Sequence, residues 1–182
     1  GVAIGAVALA LVAASREARP ATAAATWPFD TVPVGTVVTQ HGDLDALVAD
    51  LATLMPQKGS GTYREPTALE ATRLRSGLTA ADRGRLSSAA RELAPLGYRV
   101  VRYHDDPTGR SLVVLAQGRS DWDQKRAWGV YVLDRSGEKL LVEAPHTLAD
   151  LRTERVAVAV FRRSRARALL VAGAHRYAVP KA

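Results

Sequence analysis

Two histidines and two carboxylates lie within one short stretch near the C-terminus. His146 follows a β-rich run, Lys139 to Glu143, and His175 follows a second, Ala168 to Ala172. Asp150 and Glu154 open the helical stretch between them, which runs to about Arg163. If the two strands are parallel, their ends point to the same edge of the sheet, where open α/β proteins bind ligands. Imidazole nitrogens and carboxylate oxygens suit a borderline metal such as zinc. Three protein ligands leave a position for water, which the metal converts to a nucleophile near neutral pH. The pattern nominates His146, Asp150 and His175 as metal ligands and Glu154 as general base, with the two carboxylates able to exchange roles. Arg176 would hold a substrate carboxylate through paired N–H donors.

The same residues have a plainer reading. His146 after Pro145 suits a turn, and Asp150 suits a helix cap. Glu154 suits the positive end of a helix dipole, and His175-Arg176 suits a polar strand end. The spacing is neither HExxH nor HxxE.

Val142 to Phe161, VEAPHTLADLRTERVAVAVF, resembles the strand–PH–turn–helix region of zinc carboxypeptidase-like hydrolases, especially the poly-γ-glutamate hydrolase branch. The resemblance covers residues 139–176. It implies a zinc ion, held in part by His146, and an amide bond in an acidic substrate. The family's glutamate stands three residues after the histidine, where this chain has Ala149. Asp150 and Glu154 are displaced substitutes for it. His175 matches the family's later histidine, which normally follows a longer insertion.

No cysteine is present, which excludes disulfides, iron–sulfur clusters and thiol catalysis. Walker loops, GxSxG elbows and dinucleotide fingerprints are missing as well. The hydrophobic fraction of 47% supports a packed core, and the net charge of +7 favours anionic partners. Six arginines between Arg152 and Arg167 read as the solvated face and end of a helix.

Val2 to Ala14 is an uncharged apolar run ended by Arg16 and Glu17. It reads as a signal-peptide core or part of a membrane anchor, so the protein is expected to be exported: periplasmic, secreted or tethered. Nucleic acid, being mostly cytoplasmic, is not an expected partner. The organisation predicted is a targeting segment over 1–25, a linker over 26–40 and one α/β domain over 41–182. Because the chain starts at Gly1 without Met, and a parallel strand with no helix after it lies near Ala182, sequence is expected beyond both ends.

Asp43 caps a helix running to about Met55, where Pro56 stops it. A short helix is predicted from Pro66 to Arg75 and another from Thr79 to Leu93. Tyr98–Tyr103, Ser111–Ala116, Val130–Leu133 and Lys139–Glu143 are β-rich, with turn residues at Asp105–Gly109 and Arg135–Gly137. The first two runs and the last two read as hairpins that lead into a final βαβ unit. The fold class is α/β, a mixed sheet with the N-terminal helices packed on it. Trp122, Trp128 and Tyr131 cluster near Gly129, for stacking on a ligand or for core filling; parity puts Trp128 and Tyr131 on opposite faces of a strand. His41, and His104 with Asp105 and Asp106, read as cap and turn residues.

Two functions fit these features. One is an exported metal-dependent hydrolase of an amide or peptide-like bond in an acidic or cell-envelope substrate. The other is a non-catalytic envelope domain that binds an anionic polymer, sensitive to salt and indifferent to chelators.

Overall fold

The computed structural model describes residues 28–119, 126–150 and 152–179. The apolar N-terminal run and Trp122 lie outside the described residues. The chain forms a mixed six-stranded sheet with helices on both faces, an α/β fold. In chain order the elements are β1 (Val37–Gly42), α1 (Leu44–Leu54), α2 (Ala68–Asp82), α3 (Leu86–Leu93), β2 (Tyr98–Asp105), β3 (Arg110–Gln117), β4 (Val130–Leu133), β5 (Glu138–Ala144), α4 (Thr153–Ser164) and β6 (Ala166–Val171). No described helix is long and apolar enough to cross a membrane.

Across the sheet the order is β1-β2-β3-β4-β6-β5. The edge strands β1 and β5 run parallel to their neighbours β2 and β6, and the three inner pairings are antiparallel. β2 and β3 form the expected hairpin, turned at Asp105–Gly109. The hairpin expected between β4 and β5 does not form, because β6 lies between them. Composition explains the choice. β6 reads ARALLV and tolerates burial on both faces, whereas β5 carries Glu138, Lys139 and Glu143 and suits an edge. The turn after β4 is closed onto β6 instead, with the Glu138 amide donating to Arg165 O at 2.7 Å.

Alternate strand residues feed two cores. On one face Val101, Val114, Val132 and Leu169 pack with Leu44, Val48 and Leu51 of α1 and with Val158 and Phe161 of α4. On the other face Tyr98, Val100, Val113 and Leu115 pack with Leu86, Ala89, Ala90 and Leu93 of α3 and with Ala80 and Ala81 of α2. Phe29 and Val32, within the stretch expected to be linker, are buried in the first core. The packed unit therefore starts well before residue 41. Ala174 and Ala178, after β6, also join that core.

Helix boundaries follow capping chemistry. The Asp43 carboxylate accepts from the Asp45 amide at 2.9 Å, as its position before α1 requires. Thr67 and Glu70 form a reciprocal capping box at the start of α2. The two helices expected over 66–93 are divided elsewhere: α2 runs unbroken through Thr79, and the chain turns at Gly84, whose φ of +76° favours glycine. α4 starts after Arg152, so Asp150 is not its cap.

Much of the arginine run is not simply solvated. Arg155 pairs with Asp45 at 2.5 Å, Arg162 with Asp43 at 2.7 Å and with the buried Asp105, and Arg167 with Asp82 at 2.8 Å. The first two fasten α4 to α1 and to the end of β2.

Candidate functional site

At the C-terminal ends of the parallel strands β5 and β6 lies a cavity of about 390 Å³. Glu143 and Pro145 line it from β5 and the residues after it, and Gly173, His175 and Arg176 from the segment after β6. Trp128 and Tyr63 supply aromatic wall. This is the edge at which an open α/β sheet takes a ligand, and apolar wall with a few polar groups is the usual composition of such a site.

Two glycines allow the segments to meet. A Cβ on Gly173 would lie 2.5 Å from the Gly129 nitrogen and 2.6 Å from Ala127 O. One on Gly129, whose φ is +120°, would lie 2.7 Å from Val171 O. Main chain thus touches main chain where β4 begins and β6 ends. The same turn of the backbone corrects the parity argument: Trp128 precedes β4, and it packs in the same core as Tyr131.

Trp128 is held on several sides. Its amide donates to Gln117 Oε1 at 3.0 Å, and its Nε1 donates to Arg64 O at 2.8 Å. The Arg64 guanidinium lies 5.4 Å from the ring centre and is itself fixed by two bonds to Glu70, at 2.7 and 2.6 Å. That hydrogen bonding holds the Glu70 carboxyl at about 2, against partial burial that pushes the other way. The ring is therefore a rigid wall. Sequence reasoning found Trp128 but not Tyr63 or Arg64, which come from a loop far away in the chain.

His175 has a defined hydrogen-bonding state. Its Nδ1 accepts from the Tyr177 amide at 3.0 Å, and an amide can only donate. The neutral ring then carries its proton on Nε2, which leaves a donor free for a ligand. Arg176 makes no hydrogen bond or ion pair with any described residue; its guanidinium rests 5.1 Å from the Tyr177 ring centre. Lys58 adds positive charge, 5.7 Å from the same ring.

The residues nominated from sequence divide into two groups. His175 and Arg176 line the cavity just described. His146 and Asp150 line a separate groove between β5 and α4, where they are one turn apart, with the Asp150 amide donating to His146 O at 3.1 Å. His146 Nδ1 is buried with no hydrogen-bond partner among the described residues. Glu154, in the first turn of α4, is mostly buried and shares a shallow depression with Asp150. Among the described residues no group of three or more His, Cys, Asp or Glu is placed to hold a metal ion.

His41 and His104, expected at a cap and a turn, instead lie opposite each other in β1 and β2, while Asp105 and Asp106 do stand at the hairpin turn. His41 Nδ1 lies 3.2 Å from Asp106 at the surface. Asp105 is fully buried, accepting from the Leu44 amide at 3.0 Å and the Thr108 hydroxyl at 2.6 Å.

Comparison with protein families, curated proteins and solved structures finds no match to this chain.

Proposed function

We propose that the protein is a non-catalytic binding domain for a carboxylate-bearing, peptide-like chain of the cell envelope, brought outside the cytoplasm by its apolar N-terminal segment. The observation that carries this reading is the cavity at the ends of β5 and β6, where Arg176 has no counter-ion among the described residues and His175 offers Nε2–H. Both donors suit a carboxylate oxygen. Glu143, on the same wall, suits an amide or ammonium N–H, so the lining complements a peptide-like group better than a bare polyanion. The bond from the Tyr177 amide supports binding over metal chemistry, because a metal on Nε2 would move the ring proton to Nδ1, against that N–H.

Calorimetric titration with a short γ-linked glutamate oligomer tests the proposal, with the side-chain-amidated oligomer as control. Binding should be specific to the free carboxylates, weaken with salt, survive EDTA and drop at least about tenfold in Arg176→Ala, the scale of a lost charge-assisted hydrogen bond. Binding indifferent to Arg176→Ala would overturn it.

A second reading, an exported zinc-dependent hydrolase of an amide bond, is favoured by His146 Nδ1, buried without a partner among the described residues, with Asp150 in the same groove. In that reading His146 and Asp150 hold the metal, Glu154 is the base, and His175 and Arg176 contact substrate. Oligomer cleavage that EDTA abolishes, that zinc restores and that His146→Ala removes would select it.

A further inference from the structure

We infer that the protein forms a two-fold symmetric dimer by pairing β5 with β5 of a second copy, antiparallel and centred on Leu141. β5 is an edge strand, so its outer row of N–H and C=O groups has no strand partner among the described residues. Its flanking charges suit an edge, but between them Leu140 and Leu141 are 52% and 59% exposed, an apolar centre that those charges leave uncovered. Beside it, α4 exposes Val156 and Val160 one turn apart. These valines and Val142, Ala144 and Pro145 line the groove of about 390 Å³ between strand and helix.

The occupant is indicated by charge and order along β5. The strand reads Lys139-Leu-Leu-Val-Glu143. Placed antiparallel to itself about Leu141, it sets Lys139 opposite Glu143 at both ends, Leu140 opposite Val142, and Leu141 opposite Leu141. Opposite charges and apolar pairs directly across an antiparallel ladder are the stabilising combinations. Neighbouring registers lose this match. Centring on Leu140 sets Lys139 against Leu141 and Glu138 against Val142, and centring on Val142 sets Lys139 against Pro145. A two-fold interface requires a surface complementary to itself, and this strand meets the requirement in one register only.

The irregularity between Glu138 and Leu141 sits at one end of the pairing. It releases Lys139 and Leu140 from register with β6 and leaves Leu141 to Ala144 regular. Pairing would join the two sheets into one and bring the exposed valines of both α4 helices towards the symmetry axis. The inference shares Glu143 with the cavity wall, but its readout, molar mass without ligand, does not rest on what the cavity takes.

The test is the molar mass of the full chain in solution by light scattering, with circular dichroism to monitor the fold. Wild type should be a dimer. Lys139→Glu and Glu143→Lys should each halve the mass, because like charges then face each other, and the double exchange should restore the dimer. The chain has no cysteine, so Leu141→Cys gives a second readout. Diamide should oxidise the two facing thiols to an intermolecular disulfide far faster than it does in Leu69→Cys, which places an exposed thiol on α2. A monomeric wild type, a dimer indifferent to the charge reversals, or equal cross-linking at positions 69 and 141 would overturn the inference. A monomer that takes up a partner's strand at this edge falls within the first of these outcomes.

Discussion

Arg162 reaches from α4 to the fully buried carboxylate of Asp105 at the end of β2, with Nη2 2.5 Å from Oδ1 and Nε 3.1 Å from Oδ2. Its Nη2 also donates to Asp43, the cap of α1, at 2.7 Å. Three elements therefore depend on one guanidinium. Removing one partner of a buried ion pair leaves an uncompensated charge, so Arg162→Met should destabilise by about 3–5 kcal/mol. Urea unfolding checks this. A loss below about 1 kcal/mol, the value of a surface pair, would show that water solvates Asp105 once Arg162 is gone.

Acid should act on wild type and variant in opposite senses. Burial pushes Asp105 up, but bonds from Arg162 and Thr108 outweigh it and leave its pKa below the usual range. Arg162 and local amides lower Asp43, and Glu70 sits at about 2. A depressed folded-state pKa gives stability that is complete above the unfolded value and lost as pH falls through the folded one. Wild-type Tm should therefore stay level down to about pH 5 and fall below about pH 4. In Arg162→Met only burial and the smaller bonds remain on Asp105, so its pKa rises and protonation relieves the strain. The gap in Tm between variant and wild type should narrow on acidification, and a constant gap would refute this account.

Gly77 lies inside α2, where alanine would normally gain about 1 kcal/mol. Here an added Cβ would press on the Leu93 side chain of α3, within 3.0 Å of Cδ1 and closer to Cγ. Gly77→Ala should therefore lose about 1–3 kcal/mol, the scale of overpacking. A stabilised variant in thermal unfolding would mean that α2 and α3 separate easily.

Gly173→Ala should impair binding more than its position at the margin of the cavity suggests. Its Cβ would meet main-chain atoms of Gly129 and Ala127, which cannot rotate away as a side chain can. The segment carrying His175 and Arg176 would shift relative to Trp128. Titration with the glutamate oligomer should show weaker binding while the far-ultraviolet spectrum stays unchanged; undiminished affinity would mean that the two walls act independently.

Local chemistry was readable and long-range assembly was not. Asp43 as a cap, the Asp-Pro-Thr-Gly turn between β2 and β3, and the α/β class follow from neighbouring residues, and the structure has all three. The insertion of β6 between β4 and β5 has no signal in the turn, because Asp134-Arg-Ser-Gly137 is as good a turn for a hairpin as for the bend observed; only the contrast between the charged β5 and the apolar β6 carries it. Periodicity gave His175 a place at a sheet edge, but the Tyr177 amide that fixes its ring belongs to an irregular segment with no period to read. The pairing of Arg155 and Arg162 with Asp45 and Asp43 joins residues more than a hundred positions apart. Charge counting along α4 alone misreads such arginines as solvated.

The interleaving of β6 also dictates an order of events. As the chain is made from its N-terminus, β4 and β5 appear first, and neither can complete its place in the sheet until β6 has followed. Until then Val130, Val132 and Val142 have no permanent cover. The sheet therefore closes last at β6, and truncation before Val171 would leave β5 without a neighbour to hold it.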